Sequence, residues 1–307
     1  MRKPVIWRGV MCRTGGMMTD RNAVTGVSIM ALVAMGGAVD STIVRLLAGE
    51  VHPFVIGFTR VSFGLIAMLP LILRRPEMLR TKARAGHVIR AALKLGSLVA
   101  MFAALQAAPL ATVTAIGFAA PIFVTLGAWL FLSEKPGPLR LGGLLLGFAG
   151  ILVILAPSIG LGEERALMLA LLAALLTAAI QLMLKVMGRT DRADTLVAWN
   201  LIMSVPLAAI PAWYFWSTPT TAQWGLLALQ GVIGTVSQLG VTRAFQLADA
   251  SLVAPVDFLR LPFVALSAWL IFSELSPLST WLGAALIFAA ILLMAASARG
   301  RQVVVPG

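Results

Sequence analysis

Shifted by 140 residues, the stretch from Ala104 to Leu155 falls on a second copy of itself. Ala104 meets Ala244, Gln106 meets Gln246, Ala108 meets Ala248 and Phe118 meets Phe258. Further along, Ala128-Trp129-Leu130 falls on Ala268-Trp269-Leu270, Ser133-Glu134 on Ser273-Glu274, and Gly143 on Gly283. The register holds without a gap, although Pro121 and Pro262 stand one residue out of step. A repeat of this length makes the chain two versions of one unit, so an architecture that suits one half has to suit the other.

The unit is built for a bilayer. Runs such as Leu110–Leu132 and Ala166–Leu184 carry no charge and are long enough to span its hydrocarbon core. Ten such segments are expected, at about Ala23–Leu47, Pro53–Leu73, Val88–Leu105, Leu110–Leu132, Leu139–Ala156, Ala166–Met187, Thr195–Tyr214, Gln223–Leu247, Ser251–Phe272 and Pro277–Ala298. The chain is 60% apolar and 12% charged, against roughly half and a quarter in soluble domains. The pattern predicts an all-α polytopic membrane protein with ten transmembrane helices in two five-helix repeats, over residues 23–156 and 166–298. Residues 1–22 and 299–307 read as basic cytoplasmic tails.

Loop charge sets the expected orientation. With the N-terminus inside, Arg74, Arg75, Arg80, Lys82, Arg84, Arg90, Lys135, Arg140, Arg189, Arg192, Arg299 and Arg301 join the basic tail on the cytoplasmic side. Arg165 alone falls outside, as the positive-inside rule requires. Five spans per half is an odd number, so the second copy enters the membrane from the opposite face. Inverted repeats of this kind build many secondary transporters, with the pathway where the repeats meet.

The formal net charge of +12 fits headgroup contact and topology rather than nucleic acid. A single cysteine, Cys12, allows no internal disulfide, and His52 and His87 lie far apart in sequence without metal-ligand spacing. No HExxH, GxSxG in context, CxxC or GxxxxGK[ST] occurs, so a membrane enzyme and a nucleotide-driven pump are both disfavoured. A passive channel or an accessory membrane protein is the alternative to a carrier. Expected partners are a small-molecule solute and the lipid bilayer, with no cofactor, no metal and no nucleic acid; the sequence does not set an oligomeric state.

Charges inside spans are costly, about 3 kcal/mol each on insertion scales, and mark polar interiors. Arg45, Lys94, Lys185 and Arg243 stand near span ends, from where long cationic side chains can snorkel. Arg45 and Lys185 match under the 140-residue shift, which strengthens them as pathway candidates. Arg60 and Asp40 reach similar depth on antiparallel neighbours, and Asp257 and Arg260 stand three residues apart on one helix. Either these pairs neutralise one another and stiffen the bundle, or the two arginines face a carboxylate- or phosphate-bearing solute and an aspartate exchanges protons. Their matching positions are uncharged, with Asn200 for Arg60 and Ala120 for Arg260. Trp199 and Asn200 join the candidates as a stacking surface and a hydrogen-bond donor, and Gln106 and Gln238 as weaker polar groups. Pro121, Pro255 and Pro262 should kink the fourth and ninth spans.

Two halves with the pattern Gln106-Ala107-Ala108-Pro109…Pro121…Ser133-Glu134 and Gln246-Leu247-Ala248-Asp249…Pro262…Ser273-Glu274, each followed by a Gly-containing span, resemble the EamA-type drug/metabolite transporter superfamily. The likeness runs from about Gly26 to Ala298. It implies a ten-helix inner-membrane carrier that moves small organic metabolites by alternating access. Members export amino acids or take up compounds such as riboflavin or S-adenosylmethionine. The Asp40…Arg45…Arg60 stretch and Asp257-Phe258-Leu259-Arg260 look more like the riboflavin and S-adenosylmethionine branch.

Overall fold

The computed structural model of the chain describes residues 17–81, 83–132, 137–158, 162–187, 191, 193–247 and 254–299. Among them every regular element is a helix: α1 (Met17–Leu46), α2 (Pro53–Arg74), α3 (Arg84–Ala107), α4 (Leu110–Gly117), α5 (Ala120–Leu132), α6 (Pro138–Leu155), α7 (Glu164–Met187), α8 (Ala193–Tyr214), α9 (Thr221–Leu247), α10 (Arg260–Phe272) and α11 (Leu278–Arg299), with short 3-10 turns between some of them. Eight helical stretches are long and apolar enough to cross a membrane, α4 and α5 counting as one. The remaining two expected spans correspond to the 3-10 turn Ala254–Leu259 plus the 13-residue α10, and to α11, whose apolar part is Leu278–Met294. α1 starts at Met17, six residues before the expected span, and α3 at Arg84, four residues before its own.

Proline chemistry explains both interruptions. Pro121 has no N–H for the Gly117 carbonyl, and the fourth span breaks at Phe118-Ala119 before resuming as α5. The ninth begins as a 3-10 turn and becomes α-helical only at Arg260, two residues before Pro262. α10 closes on Ser273 in the left-handed region (φ 56°), whose N–H donates to the Trp269 carbonyl while Glu274 N–H donates to that of Ala268.

The helices pack in a reciprocal pattern. α3 lies on α7 and α1 on α9; α2 lies on α8; α6 lies on α11; and α4 touches α10. The α6–α11 seam is glycine-lined. A Cβ on Gly283 would sit 2.6 Å from the Gly150 carbonyl oxygen, and one on Gly143 would sit 3.0 Å from that of Ala290. Small residues let backbones approach in lipid, where no hydrophobic force holds helices together. Gly283→Leu is expected to force the seam apart at a cost above the ~1–3 kcal/mol usual for overpacking, read as loss of folded protein in detergent extracts.

One end of the bundle, where α1 meets α2, is tied across its loops. Gln106 Nε2 donates to the Val51 carbonyl at 3.1 Å, and Ser217 Oγ to that of Glu50 at 3.3 Å. His52 caps α2, its Nδ1 accepting the Phe54 N–H, and its ring stacks on Phe215 at 4.1 Å. Burial lowers the His52 pKa, which favours the neutral imidazole this cap requires. The opposite end carries the α2–α3 and α7–α8 connections.

Candidate functional site

Arg60 on α2 reaches Asp40 on α1, and the two form an ion pair with side chains 21% and 15% exposed. The guanidinium lies 5.6 Å over the Phe102 ring and against Gly234, where a Cβ would stand 2.8 Å from Nη2. Glycine at that point of α9 is what lets the arginine lie between helices. The second pair is built the same way. Arg260 Nη2 donates to Asp257 at 2.6 Å, and a Cβ on Gly37 of α1 would come within 2.6 Å of Arg260 Nε. Arg260 also lies 5.9 Å from the Phe118 ring, which stacks on Phe258 at 4.3 Å.

A cavity of about 150 Å³ opens between α2, α3, α7, α8 and α9. Its polar lining comprises Arg60, Arg90, Lys94, Asn200, Ser204, Thr235 and Gln238, and its apolar wall includes Leu95, Leu98, Ile180, Leu184, Val197 and Leu201. It extends from Lys94, near the middle of α3, toward the α2–α3 end, since Arg90 stands early in α3 and Asn200 early in α8. Asn200 Oδ1, Ser204 Oγ and Arg90 Nε are buried without a hydrogen-bond partner among the described residues.

The structure thus gathers Arg60, Asn200 and Gln238 at one cavity and sets Asp40 behind Arg60. Asp257 and Arg260 lie outside its lining. Trp199 faces away. Its Nε1 donates to the Leu79 carbonyl at 3.2 Å and its ring stacks on His87 at 5.5 Å, so it braces the α2–α3 end and offers the cavity no stacking surface. Gln106 ties loops at the other end, and the Lys185 side chain and Glu134 lie outside the described residues.

Arg45 does not snorkel. Its guanidinium pairs with Glu274 at 2.5 Å and donates to the carbonyls of Leu105, Gln106 and Ala108 at 2.8–3.5 Å. Glu274 also accepts the Leu110 N–H at 3.2 Å, which joins α1, the start of α4 and the end of α10 in one cluster.

Arg90, read in the sequence as a cytoplasmic loop charge, is only 5% exposed within α3 and donates to the Leu196 carbonyl of α8. Lys94, read as a snorkelling cation, lines the cavity. His87, fully buried, bonds Asp191 at 2.8 Å, and Thr81 Oγ1 donates to the same carboxylate at 2.7 Å. His87, Arg90 and Lys94 recur at i, i+3 and i+7, a single face of α3. That face was the available signal for all three.

Bilayer-length apolar helices around a cation-lined cavity define a multi-pass membrane protein with an internal polar site. The model of the EamA-like transporter family matches residues 24–156 and again 164–296, and the chain belongs to that family, within the drug/metabolite transporter superfamily. It is a transporter, not an enzyme. It is 35% identical over 242 residues to a riboflavin transporter of Rhizobium johnstonii, covering 77% of this chain and 79% of that one. A Rickettsia felis S-adenosylmethionine uptake transporter is 27% identical over 271 residues, covering 88% and 92%. A solved crystal structure, 17% identical, superposes on 92% of this chain and 98% of its own with a TM-score of 0.61, a likeness of fold.

Proposed function

We propose that this chain is a secondary transporter of the bacterial inner membrane that carries a small organic metabolite of the riboflavin, S-adenosylmethionine or amino-acid type by alternating access. The cavity is the solute site, and Arg60 is its anchor. One observation carries the reading: polar and cationic groups from four helices, two from each family-matching half, converge on one cavity at membrane depth. Buried charge so placed marks a solute pathway.

Ten spans in two inverted halves are supported by reciprocal contacts. Under the 140-residue shift, the Gly143–Ala290 approach maps onto the Gly283–Gly150 approach, and Phe118 stacks on its own counterpart Phe258. A pseudo-two-fold between the halves produces that exchange. Loop charge supports both termini being cytoplasmic. In that orientation the Arg45–Glu274 cluster closes the outer end while the cavity lies toward the inner one.

Proteoliposomes containing the purified chain should take up radiolabelled riboflavin, S-adenosylmethionine or an amino acid from a test panel with saturable kinetics. Uptake should accelerate when the same solute is preloaded. Flux that rises linearly with concentration and shows no counter-transport would make the protein a channel and sink this reading.

A further inference from the structure

Lys94 stands in the cavity as a cation without an assigned partner. Among the described residues, three cations line the space and no carboxylate does. Arg60 is matched by Asp40, and Arg90 is satisfied in part by the Leu196 carbonyl. The nearest acid toward the α2–α3 end, Asp191, is held by His87 and Thr81. Lys94 makes no hydrogen bond or ion pair with any described residue, although it lies within electrostatic reach of Arg60, Arg90 and Arg260 and of the Asp40 carboxylate. With three cations in reach and the one carboxylate already paired with Arg60, a half-buried ammonium is unfavourable unless a further anion joins it. Arg90 Nε, Asn200 Oδ1 and Ser204 Oγ, all buried and unpaired, leave further hydrogen-bonding capacity on the same walls.

We infer that Lys94 selects the charge of the solute. The site takes an organic anion, with a carboxylate or phosphate oxygen at Lys94 and Arg90 and an apolar body along Leu95, Leu98, Ile180 and Leu201. It disfavours solutes of net positive charge. The inference rests on the cavity being the transport site and deepens that reading by naming a solute class. The cavity volume of about 150 Å³, against about 300–1,000 Å³ for typical ligand pockets, suits an anionic head group with part of its body.

Two probe pairs test this by changing one group on a constant body: riboflavin against riboflavin 5′-phosphate, and S-adenosylmethionine against its uncharged-sulfur analogue S-adenosylhomocysteine. Equilibrium binding to the purified protein in zwitterionic nanodiscs is the readout. The phosphate should bind about tenfold or more tighter than riboflavin, and the thioether tighter than the sulfonium. Lys94→Gln should bring both ratios near one, and Lys94→Arg should keep them. Equal binding within both pairs by the wild-type protein overturns the inference even if Lys94→Gln fails to fold. A preference that disappears when phosphatidylglycerol is added assigns the site to a lipid head group and overturns it as well. Saturable flux without charge preference leaves the carrier reading standing and removes this one; binding preference without saturable flux does the reverse.

Discussion

Arg60→Ala is expected to reduce solute flux in proteoliposomes by about a hundredfold or more, equivalent to roughly 2.7 kcal/mol of lost interaction. Arg60 is both a wall of the cavity and the partner of Asp40. Removing it takes away the cation and strands a carboxylate between α1 and α2. Breaking a buried pair from one side costs about 3–5 kcal/mol, and here the partial exposure of both side chains lowers that to about 2–3 kcal/mol. Thermal unfolding in detergent should show the loss. The double variant Asp40→Asn with Arg60→Gln separates the two roles. With no stranded charge it should recover most of the stability, yet transport should stay abolished. A double variant that transports like the wild-type protein would make the pair a purely structural brace.

The helices, their breaks and the Asp40–Arg60 pair were legible because each depends on properties the sequence carries directly: apolar length, missing proline N–H groups, and depth along a helix. Azimuth was harder. The 140-residue shift sets Trp199 opposite Thr59 and Asn200 opposite Arg60, but successive helical residues point about 100° apart. One cavity cannot take both. α8 turns Asn200 inward and Trp199 toward Leu79 and His87. Lys94 was missed for a related reason. Measured from a helix start at Val88 it lies near a span end, whereas α3 begins at Arg84. From there Lys94 is about 15 Å along the axis, at the middle of a bilayer core. Arg45 was misjudged because snorkelling considers one helix at a time, and its acceptors come from the last turn of α3, the α3–α4 connection and the residue after Ser273 at the end of α10.

The second large effect is expected at that Arg45 cluster. Glu274→Ala removes the counter-charge of Arg45 and the acceptor of Leu110 N–H in one step, leaving the guanidinium three carbonyl partners among the described residues. Both side chains are about one-fifth exposed, so a stability loss of about 2 kcal/mol is expected, below the full cost for a buried pair. The larger consequence is for access. The cluster binds α1 and α4 of one half to the end of α10 of the other, and Ser273 in its left-handed turn aims Glu274 across that boundary. With the tie cut, the end assigned to the outside should open more often. A cysteine placed at Ala108, 2% exposed beside the cluster, reports this. In a Cys12→Ser background its labelling by an impermeant maleimide from the periplasmic side should rise about tenfold, as expected when a tie worth roughly 1.4 kcal/mol to the closed state is lost. Glu274→Gln keeps an acceptor for Leu110 but not the charge, so it should give an intermediate rate. If labelling is unchanged in Glu274→Ala while its melting temperature falls, the cluster stabilises the bundle without closing it, and the outer closure lies elsewhere.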